Sequence, residues 1–156
     1  MVIRKAAVIL VLGAMVMAAR GGLPLLARSC APTHADVLGP YYKPEAPLRS
    51  QVGSGHVLKG TVRAASDCAP VAGARIEFWL TGADGRYADD HRATVLSDAQ
   101  GHYRFESSFP VPYAGAQPHI HVRVIAKGYR TLATRYFPRA RQREGAFELV
   151  LVRVGD

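Results

Sequence analysis

The sequence has only two cysteines, no internal repeat and no long helical pattern of apolar residues. Its main apolar run covers residues 6–19, which is short for a membrane-spanning helix of about 20 residues. The lack of a sustained 3.6-residue period argues against a mainly helical fold, because amphipathic helices require that period. A length of 156 residues is that of one domain.

The first 29 residues have the pattern of a secretory signal segment. A basic start, MVIRK, precedes the apolar run, and Ala27 and Ser29 are the small residues expected before a cleavage at Cys30. Arg28 does not fit the lipobox of a lipidated protein. We therefore expect a periplasmic or extracellular protein that meets the membrane only through residues 1–29. An uncleaved N-terminal anchor is the alternative.

The two cysteines, Cys30 and Cys68, are interpreted through that signal segment. An oxidising compartment favours a disulfide between them, whereas two free thiols would be the default in a cytosolic protein. The bridge would tie down the start of the mature chain, which would otherwise fray.

Basic residues exceed acidic ones, with a formal charge of +8. Residues 1–29 hold four basic residues and no acidic one, so the remainder carries an excess of about +4. The later segment RYFPRARQREG could form a nucleic-acid patch, but it has neither helical periodicity nor interleaved aromatics. We interpret it as a solvated basic loop and expect no nucleic-acid partner.

Short strand-like runs separated by turn signals fill most of the chain. They come about every ten residues, which is typical of an antiparallel β-sandwich. We predict an all-β sandwich domain of about seven to nine strands over residues 56–156. Residues 30–55 are rich in proline and glycine and are predicted to form an extended N-terminal arm over the sandwich. The runs are HVLKGTVR, ARIEFWL, ATVLSD, HYRFES, HIHVRVIA, TLATRYF and AFELVLV.

His119 and His121 stand one residue apart in the segment QPHIHVRV. On a strand they share one face, opposite Ile120 and Val122, because side chains alternate. Two neutral imidazoles side by side are a good start for a metal site. The alternative is that they are two polar residues on a solvated strand face.

Further metal ligands are scarce among the usual donors, since the cysteines are expected to be oxidised and few acids lie near the histidines. Tyrosine is plentiful, with seven copies, and Tyr113 and Tyr87 lie in the segments PVPY and ADGRY. A phenol ionises near pH 10, so only a strongly Lewis-acidic ion such as Fe³⁺ would deprotonate it at neutral pH.

The chain resembles the intradiol ring-cleavage dioxygenases, which include catechol and protocatechuate dioxygenases. The order of DGRY, PxPY and HIH carries the resemblance, supported by LGPYYKPEAP, PVAGARIEFW and SDAQGHYRFES. The resemblance implies that Tyr87, Tyr113, His119 and His121 are ligands of one Fe(III). It also implies a β-sandwich that inserts both atoms of O₂ into a catechol-type diol, giving a muconate-type diacid. In the family, one tyrosine leaves the iron and accepts a proton, and we assign that role to Tyr113.

Two positions depart from the family pattern. Ala116 stands where the family has an arginine that stabilises charge on the substrate, and Arg135 stands where it has a glutamine. One hypothesis is that Gln117 and Arg135 have exchanged these two catalytic roles. The alternative is that Arg135 only continues the basic surface.

The remaining aromatic residues receive structural interpretations. We predict that Trp79, Phe78 and Phe105 pack in the core, and that Tyr41 and Tyr42 either line the pocket or anchor the arm. The rival function is a non-catalytic, transthyretin-like binding or spacer module. The expected partners are a small diol and O₂, and the oligomeric state is open, with a homodimer as one option.

Overall fold

The computed structural model describes residues 29–156, so the predicted signal segment lies outside the described residues except for Ser29. The described part forms eight β-strands in two sheets, which confirms the all-β sandwich. Across these residues, no helix has the length and apolar character needed to cross a membrane. The strands are β1 His56–Ala64, β2 Arg75–Thr81, β3 Tyr87–Leu96, β4 His102–Ser107, β5 Ile120–Ile125, β6 Leu132–Tyr136, β7 Glu144–Ala146 and β8 Leu149–Leu151.

One sheet has the order β4-β1-β7, with β8 also paired to β1, and the other has the order β3-β2-β5-β6. All pairs are antiparallel except β1 with β7 and with β8. The run AFELVLV, predicted as one strand, falls into both β7 and β8. The split lies opposite Gly60, where a Cβ would come 2.0 Å from the Phe147 carbonyl oxygen, so glycine permits the close approach of the two backbones.

The core lies between the two sheets and follows the predicted alternation. Ile76 and Phe78 of β2 and Val122 of β5 are fully buried there. Phe78 stacks on Phe105 of β4 at a centroid distance of 4.3 Å, which confirms both as core residues. Burying such a side chain contributes about 1.5–3 kcal/mol.

The outer face of the β3-β2-β5-β6 sheet carries the polar members of the same alternation. The strand register places Arg135, His121, Trp79 and Arg92 side by side across the four strands. The next row holds Arg123 and Glu77 as direct neighbours. This face is polar because the arm, and not the other sheet, covers it.

The middle of the arm crosses that outer face, while its ends contact the other sheet, Thr33 at β8 and Val52 at β4. The arm starts at the Cys30–Cys68 disulfide, whose Cα atoms are 5.3 Å apart, so the predicted bridge is confirmed. Further along, the Asp36 amide donates to the Ala133 carbonyl at 2.8 Å. Near the far end, the Thr94 amide donates to Pro47 at 2.8 Å.

Tyr42 anchors the middle of the arm. Its hydroxyl donates to Glu77 at 2.9 Å, and Arg123 lies 2.7 Å from the Tyr42 oxygen and 3.1 Å from the Glu77 carboxylate. Burial would raise the pKa of Glu77, but hydrogen bonds from Arg75, Tyr42 and Arg123 outweigh it and hold that pKa below its ordinary value. The carboxylate is therefore ionised and fixes the arm to β2 and β5.

Candidate metal centre

His119 and His121 lie at the start of β5 and turn the same way, out of the core. Their Nε2 atoms are 3.1 Å apart, and both side chains are buried. His119 Nδ1 donates to the Gln117 carbonyl at 2.6 Å. In the neutral ring, Nε2 then carries no proton, and its lone pair is free to bind a metal. Ile120 and Val122 point into the core, as the alternation predicts.

Tyr87 approaches the two imidazoles from the edge strand β3, which is separated from β5 by β2. It is the first residue of β3, directly after a turn closed by a hydrogen bond from Gly82 to Arg86 at 3.0 Å. Its hydroxyl lies 3.2 Å from His119 Nε2. Burial and the nearby phenols of Tyr41 and Tyr113 raise the pKa of Tyr87. A bound metal cation would lower that pKa strongly.

Tyr113 reaches the same place from the loop between β4 and β5. Its carbonyl accepts the Ala116 amide at 2.8 Å across a tight turn, in which Ala114 and Gly115 have φ of 48° and 79°. The Tyr113 ring stands edge-on to the Tyr87 ring, 5.5 Å between centroids.

All four predicted ligands line one cavity of about 220 Å³. An engineered cavity of about 150 Å³ holds benzene, so this one has room for a single aromatic ring. Its wall also includes residues of the arm, of the loop between β4 and β5, and of β6, namely Val37, Gly39, Pro40, Tyr41, Ala114, Ala116 and Arg135.

The donor set fits a hard, trivalent metal ion. The facing oxygen and nitrogen atoms are 3.1–3.2 Å apart, about the separation of two ligands that each lie roughly 2.1 Å from a shared metal. Burial lowers the pKa of His121 to about 4, with His119 and Arg135 contributing, so the imidazole is neutral and able to ligate at neutral pH. Within residues 29–156, no group of three or more His, Cys, Asp or Glu forms a metal cluster, so a metal held by His119 and His121 would need the phenols as further ligands.

Trp79 is buried, as predicted, but it lies outside the cluster between the two sheets. It stands on the outer face of β2, where its ring lies parallel to that of His121 at 4.9 Å. Alternation along ARIEFWL places Trp79 on the face of Glu77, opposite Phe78, and the strand register sets His121 directly beside it.

The arm residues Gly39 and Tyr41 also shape the site. A Cβ on Gly39 would lie 2.8 Å from His121 Cε1, and its φ of +79° is one that glycine readily adopts. The Tyr41 ring stacks on Tyr87 at 4.5 Å, and its hydroxyl hydrogen-bonds the hydroxyl of Tyr113. Of the two predicted roles for the tyrosine pair, Tyr41 lines the pocket and Tyr42 anchors the arm.

The structure separates the two residues of the predicted exchange. Arg135 lies opposite His121 on β6 and lines the cavity, where it pairs with Asp36. The Gln117 side chain lines a different groove with Phe109 and Phe137, and its contribution to the site is the backbone carbonyl that orients His119.

A β-sandwich with two imidazoles and two phenols around a small cavity has the donor set of a mononuclear, non-haem metal enzyme. Searches of known proteins agree with that class. Catechol 1,2-dioxygenase of Candida albicans is 29% identical over 143 residues, covering 67% of this chain and 46% of the relative. Hydroxyquinol 1,2-dioxygenase of Rhodococcus opacus is 34% identical over 140 residues, with coverage of 67% and 46%. A scan against protein-family models finds no match.

Solved structures show the same fold. The dioxygenase domain of a dioxygenase–carbohydrate-binding fusion from Streptomyces sp. SirexAA-E aligns with a TM-score of 0.70 at 26% identity, over 80% of this chain and 100% of that domain. An intradiol ring-cleavage dioxygenase from Tetranychus urticae aligns with a TM-score of 0.71 at 18% identity, over 81% and 98%.

The matching relatives and structures described above are named as dioxygenases, among them 1,2-dioxygenases and an intradiol ring-cleavage dioxygenase, and the chain shares their fold. The chain spans about half the length of the sequence relatives, 46% of each.

Proposed function

We propose that this chain is a secreted, iron-dependent intradiol dioxygenase that opens a catechol-type diol with O₂. One observation carries the proposal: His119 Nε2 lies 3.2 Å from Tyr87 Oη and 3.1 Å from His121 Nε2, and Tyr113 lines the same cavity, which has room for an aromatic ring. The named activities of the relatives support the reaction class.

Tyr87, Tyr113, His119 and His121 would hold the iron. Ferric iron in this site would supply a Lewis acid that takes up both oxygens of the diol and makes its ring reactive toward O₂. The surrounding residues prepare the ligands. The Gln117 carbonyl fixes the tautomer of His119, and Trp79 covers one face of His121 and keeps water from it.

Tyr113 is assigned the handling of the diol proton. Its hydroxyl faces the cavity and contacts the Tyr41 hydroxyl, so a proton placed on Tyr113 Oη is held between two phenol oxygens. The loop position of Tyr113 supports this role, because Gly115 and Ala114 form a turn that is independent of the sheet ladder. Arg135 provides hydrogen-bond donors on the opposite wall.

The proposed location is the periplasm or the extracellular space. The Cys30–Cys68 disulfide supports an oxidising compartment, where such bridges persist. The signal pattern of residues 1–29 supports the same location. Secretion can be tested by fractionating cells that express the full chain and assaying each fraction for the oxidised protein.

The decisive experiment uses the disulfide-bonded mature protein loaded with Fe³⁺. We expect one iron per chain, a tyrosinate-to-iron absorption band that makes the protein red, and O₂ uptake with catechol, hydroxyquinol or protocatechuate. The products should be muconate-type diacids, identified by mass spectrometry as substrate plus two oxygen atoms. A colourless protein that takes up no iron would instead favour the non-catalytic sandwich module.

A further inference from the structure

A carboxylate from the arm neutralises the cation in the cavity wall. Asp36 accepts two hydrogen bonds from Arg135, at 2.8 Å to Nε and 3.0 Å to Nη2. Both side chains are roughly three-quarters buried, so water screens the pair only in part. Such a two-point pair is the strong, directional form of an arginine–carboxylate interaction.

Asp36 is held in place independently of the arginine. Its amide donates to the Ala133 carbonyl at 2.8 Å, and its Oδ1 accepts the Val37 amide at 2.6 Å. On the next residue of β6, the Thr134 hydroxyl donates to the His34 carbonyl at 2.9 Å. The carboxylate is therefore fixed beside the guanidinium that lines the cavity, positioned by the backbone of the arm against β6.

The pair faces the metal-binding residues. Arg135 lies directly opposite His121 in the strand register and lines the cavity with it. Among the described residues that line this cavity, Arg135 is the one with a permanent charge. With Asp36 beside it, the wall keeps the arginine's unused N–H groups as donors but carries no net charge.

The neighbouring cavity behind Tyr41 differs in charge. Its cations, Lys43 and Arg92, share the single carboxylate of Asp89, at 3.1 and 3.2 Å. That cavity therefore keeps an excess positive charge, whereas Asp36 balances the arginine that lines the cavity of the predicted metal ligands.

We propose that Asp36 is a specificity-determining residue that restricts this site to diols without an anionic ring substituent. The inference rests on the proposed function. A ring carboxylate that reached Arg135 would find this guanidinium already paired and would have to displace the Asp36 carboxylate from it. Like charges held this close in a partly buried wall disfavour binding, while a neutral ring hydroxyl can still accept a hydrogen bond from Arg135.

The test compares Asp36→Asn with the wild type in two assays. In the first, iron-loaded proteins turn over catechol and 3,4-dihydroxybenzoate, and the ratio of their kcat/KM values is measured. We expect the substitution to shift that ratio toward the carboxylate-bearing diol by about 10- to 100-fold, because it removes one negative charge from the wall. An unchanged ratio would overturn the proposal.

The second assay needs neither iron nor turnover. The metal-free proteins are titrated with benzoate and with phenol by calorimetry. We expect Asp36→Asn to bind benzoate at least tenfold more tightly than the wild type, with little change for phenol. Adding Arg135→Gln to Asp36→Asn should remove the gain. Equal benzoate affinities in wild type and Asp36→Asn would contradict the inference even if the protein proves not to be a dioxygenase.

Two controls separate charge from folding. Asp67→Asn makes the same chemical change at an exposed residue that pairs with Arg153 at 3.9 Å and does not line the cavity, so it should leave both assays unchanged. If Asp36→Asn unfolds, Arg135→Gln provides the opposite test. It leaves Asp36 unpaired in the wall, so benzoate should bind more weakly than to the wild type, and unchanged or tighter binding would overturn the proposal.

Discussion

Trp79 and His121 lie side by side on β2 and β5, with their rings 4.9 Å apart and 1° from parallel. The indole covers one face of the imidazole, and the backbone of Gly39 also lies close to that ring. His121 Nδ1 is buried and has no hydrogen-bond partner within residues 29–156. Packing, rather than a hydrogen bond of the kind that orients His119, therefore sets the ring orientation of His121.

Removing that indole should loosen the metal site and the sheet together. We expect Trp79→Ala to lower the free energy of unfolding by about 3–5 kcal/mol, because a buried aromatic is lost. Iron should also bind more weakly. Trp79→Phe keeps a ring beside His121 and should retain most of both properties. Denaturant unfolding and competition with a chelator measure the two effects, and equal iron affinity in Trp79→Ala and wild type would contradict this role.

Iron retention should depend on the four predicted ligands. We expect His121→Ala to abolish bound iron and the red colour, since it removes a neutral nitrogen donor from the centre of the cluster. Metal analysis and absorbance spectra measure both. His102→Ala is the matched control, because that side chain is exposed on β4 in the other sheet. Stoichiometric iron in a Tyr87→Phe, His121→Ala double variant would refute the ligand assignment.

The disulfide should stabilise the fold through the loop it closes. For the sequence separation of 38 between Cys30 and Cys68, the chain-entropy relation gives about 4 kcal/mol. We expect the Cys30→Ser, Cys68→Ser variant to lose stability of that order in denaturant unfolding. A loss below about 1 kcal/mol would mean that the arm remains ordered without its covalent attachment.

Acid should release the arm through Glu77. The pKa of this carboxylate is held below its ordinary value of 4.5 in the folded state, so the unfolded chain binds its proton more readily. The stabilisation that the Glu77 carboxylate contributes is therefore fully present above pH 4.5. It is lost as the pH drops through the lower pKa that this group has in the folded state. Glu77→Gln should flatten this acid limb of the stability curve, measured by denaturant unfolding at several pH values. Glu144→Gln, which breaks an exposed pair with Lys59, should leave the slope intact.

The parts of the site that the sequence predicts are those encoded locally. Alternation is sufficient to put His119 and His121 on one face, and the motif order is sufficient to select Tyr87 and Tyr113. The parts it does not predict depend on the path of the arm. Strand periodicity has no bearing on where Asp36 meets Arg135, because an extended segment without a ladder has no register to infer.

Two further differences have local causes. Trp79 is buried as predicted, but on the outer face, where Tyr42 of the arm and His121 pack against it. The final run was predicted as one strand because its composition is continuous, and the close approach at Gly60 that divides it is visible only in three dimensions.

The contacts that complete the cavity join residues far apart in the chain. Tyr41 meets Tyr113 across 72 positions, and Asp36 meets Arg135 across 99. Contacts of such long sequence separation form late in folding, because the intervening chain must be ordered first. The complete cavity therefore forms only when the arm and the sandwich are both folded. A truncated or partly folded chain would keep the His119 and His121 pair but lose the wall that the arm supplies, so substrate selectivity should disappear before metal affinity does.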